Sequence, residues 1–260
     1  MYTPPSFLSP SSIRLFRDCP QKFKLSYIDK IKEPPTWPLH LGSFVHEVLE
    51  FLYKETAENR THETSKDIAT DHWMNHGWAT KVAALEVESG SLADFKRAAF
   101  ESITNLWELE DPTQIQIDDI EVEVITNVAG VAMKGYIDRL VLAENGTVVI
   151  SDYKTGKIPN PKFKSEDDEF FQLACYALML EESKQVLTSR LELLYLTQKA
   201  KHDRVVTKEN LDIARQVIVR TRSEIETACE TEEFDCNVTV LCNYCHYKKI
   251  GICPAHNGNK

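Results

Sequence analysis

The 260-residue chain contains no apolar run approaching the roughly 20 residues that cross a bilayer. Its opening stretch, MYTPPSFLSPSSIRLF, lacks the basic start and apolar centre of a secretion signal. Both absences set the expectation of a cytoplasmic protein without membrane contact. Basic charge is also short: 30 Lys and Arg face 40 Asp and Glu, a formal net charge of −10. That sign opposes broad coating of a polyphosphate, although a carboxylate cluster counts as acidic only until its cation is included. The basic residues present fall in groups, at Lys22, Lys24, Lys30 and Lys32, at Lys154, Lys157, Lys162 and Lys164, and at Lys199, Lys201 and Arg204. Such groups are usually solvated surface, and they give weak support to a phosphate-binding face. The segment His46-Glu47-Val48-Leu49-Glu50 lacks the second histidine of His-Glu-x-x-His, which argues against a zinc protease.

What is present centres on Gly135 to Lys157. Two apolar-rich runs, Tyr136–Ala143 and Thr147–Tyr153, flank the turn signal Glu144-Asn145-Gly146 and predict a β-hairpin. Side chains alternate along a strand, so Asp152 and Lys154 share one face and Tyr153 takes the other. A carboxylate beside an ammonium can hold a hard cation and stabilise a developing anion. Asp138 on the partner strand supplies a second carboxylate, giving a Mg²⁺ site with a lysine beside it. The plain alternative is a surface ion pair of little worth.

Elsewhere, Ser9-Pro10 opens a helix that Pro20 interrupts, and Lys32 to Pro38 reads as an extended connector. Leu39–Tyr53 is an amphipathic helix with His46 and Glu50 one turn apart. Residues 60 to 110 read as polar helices without evident chemistry, a subdomain flanking the cleft. From Ile115 the apolar period becomes two, with Ile115, Ile117, Ile120, Val122, Val124 and Val128 in one series and Glu123 pointing away as an occasional ligand. Ile158 to Ser165 is a loop within reach of a substrate backbone. Glu166–Glu182 is a helix with Gln172 and Tyr176 on one face, Arg190–Gln198 a strand, and Val206–Glu230 a final helix. This succession predicts an α/β sandwich rather than a doubly wound sheet.

The ordered set Gly135-Tyr-Ile-Asp138, Asp152-Tyr-Lys154-Thr-Gly and Gln172-Leu-Ala-Cys-Tyr176 resembles the RecB-like branch of the PD-(D/E)XK nuclease superfamily. Gly42-x-x-x-His46-x-x-x-Glu50 matches the metal-binding helix of the same pattern. The resemblance implies a restriction-endonuclease-like core, a central mixed sheet flanked by helices. It also implies a metal-dependent DNA exonuclease acting on ends or single strands. Mg²⁺ or Mn²⁺ would be held by His46, Asp138, Asp152 and the carbonyl of Tyr153. Lys154 would position the attacking water, and Gln172 and Tyr176 would line the site. Protein partners in recombination, repair or CRISPR adaptation follow from the same likeness. The whole of 1–260 is then one nuclease domain, divided into an N-terminal segment 1–38, a helical insert 55–115, a catalytic core 116–205 and a C-terminal segment 236–260.

Seven cysteines in a reducing compartment point to metal or cluster ligation rather than disulfides. Cys242-x-x-Cys245 and, after seven residues, Cys253-Pro254 form a clasp that His256 can complete as a Cys₃His zinc site. Cys19 offers a different fourth ligand, closing a Cys₄ set suited to a 4Fe–4S cluster. One upstream and three downstream cysteines also occur in the iron–sulfur members of the resembled branch, the CRISPR-associated Cas-four exonucleases and AddB-type subunits. That likeness favours a 4Fe–4S cluster joining the two ends of the chain. Cys175, Cys229 and Cys236 are surplus, Cys175 as a buried apolar residue and the others as free thiols.

Overall fold

Ser9 begins the first helix, α1 (Pro10–Asp18), through a reciprocal cap with Ser12: each backbone N–H donates to the other's hydroxyl, at 2.8 and 3.1 Å. The computed structural model describes residues 1–85, 91–143 and 146–256. After α1 come α2 (Pro20–Phe23) and a π-helical turn at Lys24–Ile28 that sequence periodicity did not indicate. The expected connector ends at Thr36, because the Thr36 hydroxyl caps α3 (Trp37–Lys54) and Pro38 sits in its first turn. Three further helices follow: α4 (His62–Asn75), α5 (Trp78–Ala83) and α6 (Leu92–Thr104).

Five strands make one mixed sheet, in the order β1 (Ile117–Val128), β2 (Val131–Leu142), β3 (Val148–Lys154), β4 (Thr188–Tyr195), β5 (Ala200–Val205). All neighbours are antiparallel except β3 and β4. A parallel pair needs a long crossover, and α7 (Glu166–Lys184) supplies it. Ser165 caps α7 and four acidic residues fill its first turn, which suits the helix dipole. Ala129 and Gly130 take φ values of 49° and 90°, as a two-residue turn between β1 and β2 requires. The predicted hairpin is β2–β3; of its turn signal, Glu144 and Asn145 lie outside the described residues. The last long helix is α8 (Lys208–Thr231), and α9 (His246–Lys249) lies in the C-terminal segment.

The sheet separates two apolar cores. One face packs Val122, Val124, Met133, Ile137, Ile150 and Leu193 against α7, α8 and α1. The other places Tyr153, Leu194 and Leu196 against α3 and the helices α4 to α6. Strand β1 serves both, contrary to the single series read from its period. Ile117 and Ile120 join the second core, whereas Val122 and Val124 join the first. The change of face occurs at Glu121, whose φ of 51° is rare for a side-chain-bearing residue. No helix among the described residues is long and apolar enough to cross a membrane.

Candidate active site

The site forms where β3 runs out between two helices. Asp152 and Lys154 do share a face, turned to α7, while Tyr153 packs against α3. Lys154 Nζ lies 2.5 Å from Asp152 Oδ2, and Gln172 Nε2 donates to Asp152 Oδ1 at 3.2 Å. Lys154 in turn donates to Gln172 Oε1 at 3.4 Å, and Gln172 Nε2 also reaches the Tyr176 hydroxyl at 3.3 Å. Four of the expected residues therefore form one connected network. Asp152 is only 3% exposed, so it is not the surface carboxylate of the plain alternative. Its Oδ2 is buried and faces the Lys154 ammonium in an ion pair.

Gly135 explains how Tyr176 reaches this place. A Cβ at Gly135 would stand 2.5 Å from the tyrosine ring, so any side chain there displaces it. Gly42 is less constrained, because a Cβ there would make ordinary contact with Thr155 at 3.4 Å.

On the other side, α3 delivers His46. Its Nε2 hydrogen-bonds the carbonyl of Tyr153 at 2.8 Å, and Nδ1 lies 3.2 Å from Asp138 Oδ2. The same Asp138 oxygen accepts from the Tyr153 N–H at 3.2 Å. Thus His46, Asp138 and Tyr153 interlock around the end of β3. Glu121 completes the group: its carboxylate, His46 and Asp138 each offer a ligand atom within 4.8 Å of the others. Sequence reading missed Glu121 and selected Glu123. Glu123 is instead bound on the surface by Lys134 and the Tyr136 hydroxyl. Only the left-handed backbone at Glu121 turns that carboxylate toward the site, and periodicity carries no signal of it. Glu50, one turn from His46, pairs with Lys54.

The charges are strongly coupled. Burial, with Asp138 beside it, raises Asp152 above the usual carboxylate range against the pull of Lys154. Burial also opposes ionisation of Asp138, but His46 and Lys154 hold it below that range. Burial, Asp138 and Glu50 push Glu121 up to about 7. Burial alone would lower His46, yet Asp138, Asp152 and the Tyr153 carbonyl outweigh it and push the ring up to about 9. Such an assembly of carboxylates, a carbonyl and one imidazole suits a hard divalent cation.

A pH dependence follows. The folded pKa of His46 exceeds its unfolded value of 6.5, so its charged form stabilises the metal-free fold fully below 6.5 and loses that effect as pH rises through about 9. A cation bound by His46 would have to displace this proton. Affinity for Mn²⁺ should therefore climb by up to about tenfold per pH unit across that interval, with Glu121 adding to the slope at its lower end. Calorimetric titration at several pH values checks this, and a flat affinity would remove His46 from the ligand set.

Several residues of the basic groups are paired: Lys22 with Glu33, Lys24 with Asp29, Lys199 with Glu108, Lys201 with Glu192, and Arg204 with Asp167. Lys164 differs, its pKa lowered by burial and by Arg14 and Lys154 nearby.

Cys19, Cys242, Cys245 and Cys253 line one cavity of about 680 Å³, together with Cys236 and His256. Cys236, read as surplus, stands beside Cys253 and Cys19, close enough that both raise its pKa in addition to burial. No spacing pattern points to it. Among the described residues no three of these ligand atoms lie within 4.8 Å of one another. The two ends of the chain are nonetheless stitched together here. Gln21 N–H donates to the Asp235 carbonyl at 3.0 Å, Asn237 to the Asp18 carbonyl at 3.0 Å, and the Tyr247 hydroxyl to the Ile31 carbonyl at 2.8 Å. Cys175 is fully buried, as expected.

Among relatives, the Gene 69 protein of Mycobacterium phage L5 is 24% identical over 267 residues, covering 87% of this chain and 89% of that protein. Its counterpart in Mycobacterium phage D29 is 28% identical over 196 residues, covering 65% and 67%. A solved structure of a candidate exonuclease from Eubacterium rectale superposes with a TM-score of 0.59 at 13% identity, covering 98% of this chain and 88% of that one. That likeness supports the fold alone. The sequence profile of the PD-(D/E)XK nuclease superfamily matches residues 7–254, nearly the whole chain, a span that contains β3 and the residues around its end. The protein belongs to the PD-(D/E)XK nuclease superfamily.

Proposed function

We propose that this nuclease is a Mg²⁺- or Mn²⁺-dependent DNA exonuclease that hydrolyses phosphodiester bonds at ends or in single strands. The observation that carries the reading is the junction at the end of β3, where His46, Asp138 and the Tyr153 carbonyl meet Asp152, Lys154 and Gln172. His46, Asp138, Asp152 and the Tyr153 carbonyl would hold the cation, with Glu121 as a further carboxylate. When bound, it lowers the pKa of a water and offsets charge on the scissile phosphate. Lys154 would orient the attacking water and stabilise the negative charge that builds on the phosphoryl oxygens, while Gln172, held in turn by the Tyr176 hydroxyl, fixes the lysine and Asp152. A time course on DNA labelled at either end, single- and double-stranded, beside a closed circle, tests the mode of cutting. Shortening from an end with an intact circle supports the exonuclease; cutting of the circle would make it an endonuclease.

Cys19, Cys242, Cys245 and Cys253 are assigned to a structural 4Fe–4S cluster. Their shared cavity and the hydrogen bonds joining the two chain ends support that role. Protein prepared without air should be brown with about four irons per chain. Cys19→Ala should lose the colour as fully as Cys245→Ala, whereas His256→Ala and Cys236→Ala keep it. The second reading, zinc on Cys242, Cys245, Cys253 and His256, is favoured by His256 standing in the same wall with its Nε2 buried and without a hydrogen-bond partner. It requires the opposite pattern: a colourless protein, tolerance of Cys19→Ala and sensitivity of His256.

A further inference from the structure

The helical region between α3 and β1 holds a second convergence of ligand atoms, beside the cleft that Glu47 shares with His46 but using none of the residues assigned to either site above. Glu47 on α3, His72 on α4 and His76 at its end place one carboxylate oxygen and two ring nitrogens within 4.8 Å of one another. His72 Nδ1 lies 2.9 Å from Glu47 Oε1, and His76 Nδ1 lies 3.1 Å from the same oxygen. Tetrahedral zinc with bonds of about 2.0–2.1 Å sets its ligand atoms roughly 3.3 Å apart, so these edges are near those of an assembled site.

Protons alone serve the group poorly. One carboxylate oxygen faces two imidazoles that stack at 4.0 Å, and only the His76 contact has hydrogen-bond geometry. His72 is 2% exposed, and its Nδ1, aimed at the same point, has no hydrogen-bond partner. A cation among the three atoms would satisfy all of them. The surroundings are arranged accordingly. Trp78 Nε1 donates to the other carboxylate oxygen of Glu47 at 2.6 Å, leaving Oε1 free for the cluster. The far nitrogen of His76 faces Asp71 at 3.6 Å, a carboxylate placed to fix the ring's tautomer. Phe51 packs edge-on against His72 and shields it from water.

We infer that Glu47, His72 and His76 bind a zinc-class divalent cation that clamps α4 to α3. Two imidazoles and one carboxylate favour zinc over the hard ions suited to the catalytic carboxylates. The three protein ligands leave the fourth position to water. Glu47 adjoins His46, so the clamp steadies the helix that delivers the catalytic imidazole.

Crystals grown with zinc chloride and measured at the zinc absorption edge should show an anomalous peak about 2.0–2.2 Å from Glu47 Oε1, His72 Nδ1 and His76 Nδ1. In solution, zinc chloride should raise the Tm of the wild type more than that of His76→Ala. The variant removes a partly exposed ring, so the fold survives, and both proteins retain the C-terminal cysteines and His46. Any zinc taken there therefore cancels in the comparison. His72→Ala empties a buried position and is a poorer test. Zinc affinity at this site should drop at least about tenfold in His76→Ala. An anomalous peak confined to the cysteines or the carboxylates of β2 and β3, or an equal Tm rise in both proteins, would overturn the inference.

Discussion

Asp152→Asn is expected to abolish cleavage while leaving the metal-free fold as stable as the wild type or more so. In the folded protein Asp152 is buried beside Asp138, and its pKa is raised. A carboxyl whose folded pKa exceeds its unfolded value weakens the fold at neutral pH, and that penalty fades as pH falls through the folded pKa. Asparagine keeps the shape and removes the penalty together with the proposed cation ligand. Wild type should recover stability when Mn²⁺ is added, because a ligand that binds only the native state stabilises it by mass action. The variant should recover less. Lys154→Ala separates the roles further: Mn²⁺ binding should persist while the single-turnover rate falls by about 10²–10³-fold, the usual scale for a lost transition-state donor. Denaturant titrations with and without Mn²⁺, beside quenched-flow cleavage, check both. An Asp152→Asn protein that cuts DNA at the wild-type rate removes the carboxylate from the chemistry.

The second large effect lies behind the site. Arg139 and Glu110 form a bidentate pair, 1% and 6% exposed at their side chains, enclosed by Tyr53 and Tyr153. The Tyr53 hydroxyl also donates to Glu110. Removing one member strands the other charge in a dry interior. Glu110→Ala should cost about 3–5 kcal/mol of unfolding free energy. Replacing both members with apolar residues of similar volume, Arg139→Met with Glu110→Leu, should return much of that loss. The consequence reaches function because Tyr153 forms one wall of the pair and its carbonyl accepts from His46. Glu110→Ala should therefore weaken metal binding as well. Urea unfolding of the three variants decides the matter: a Glu110→Ala cost below 1 kcal/mol would mean that water reaches Arg139.

Local sequence carried the strand end Asp152-Tyr153-Lys154, the helix start at Ser9-Pro10 and the pair Gln172 and Tyr176, because fixed spacing places them on known faces. It did not carry Glu121, which departs from its strand's alternation through a left-handed backbone set by the sheet. The strand β5 was also missed. Its sequence, AKHDRV, alternates exposure but has almost no apolar stripe, as befits a charged edge strand. Cys236 meets its neighbours, and Glu47 meets the histidines, only through tertiary packing; the four-residue spacing of His72 and His76 at the end of α4 was the one signal the sequence held for that trio. The depth of Asp152 was likewise hidden, since a strand-end aspartate reads as exposed until α7 is laid over it.

The most direct measurement is single-turnover cleavage of end-labelled DNA by the wild type and Asp138→Asn, each with Mg²⁺, with Mn²⁺ and with a chelator. The account predicts cutting by the wild type with either cation, none with the chelator, and none by Asp138→Asn in any condition. Cutting that survives the chelator, or an Asp138→Asn protein as fast as the wild type, would contradict it.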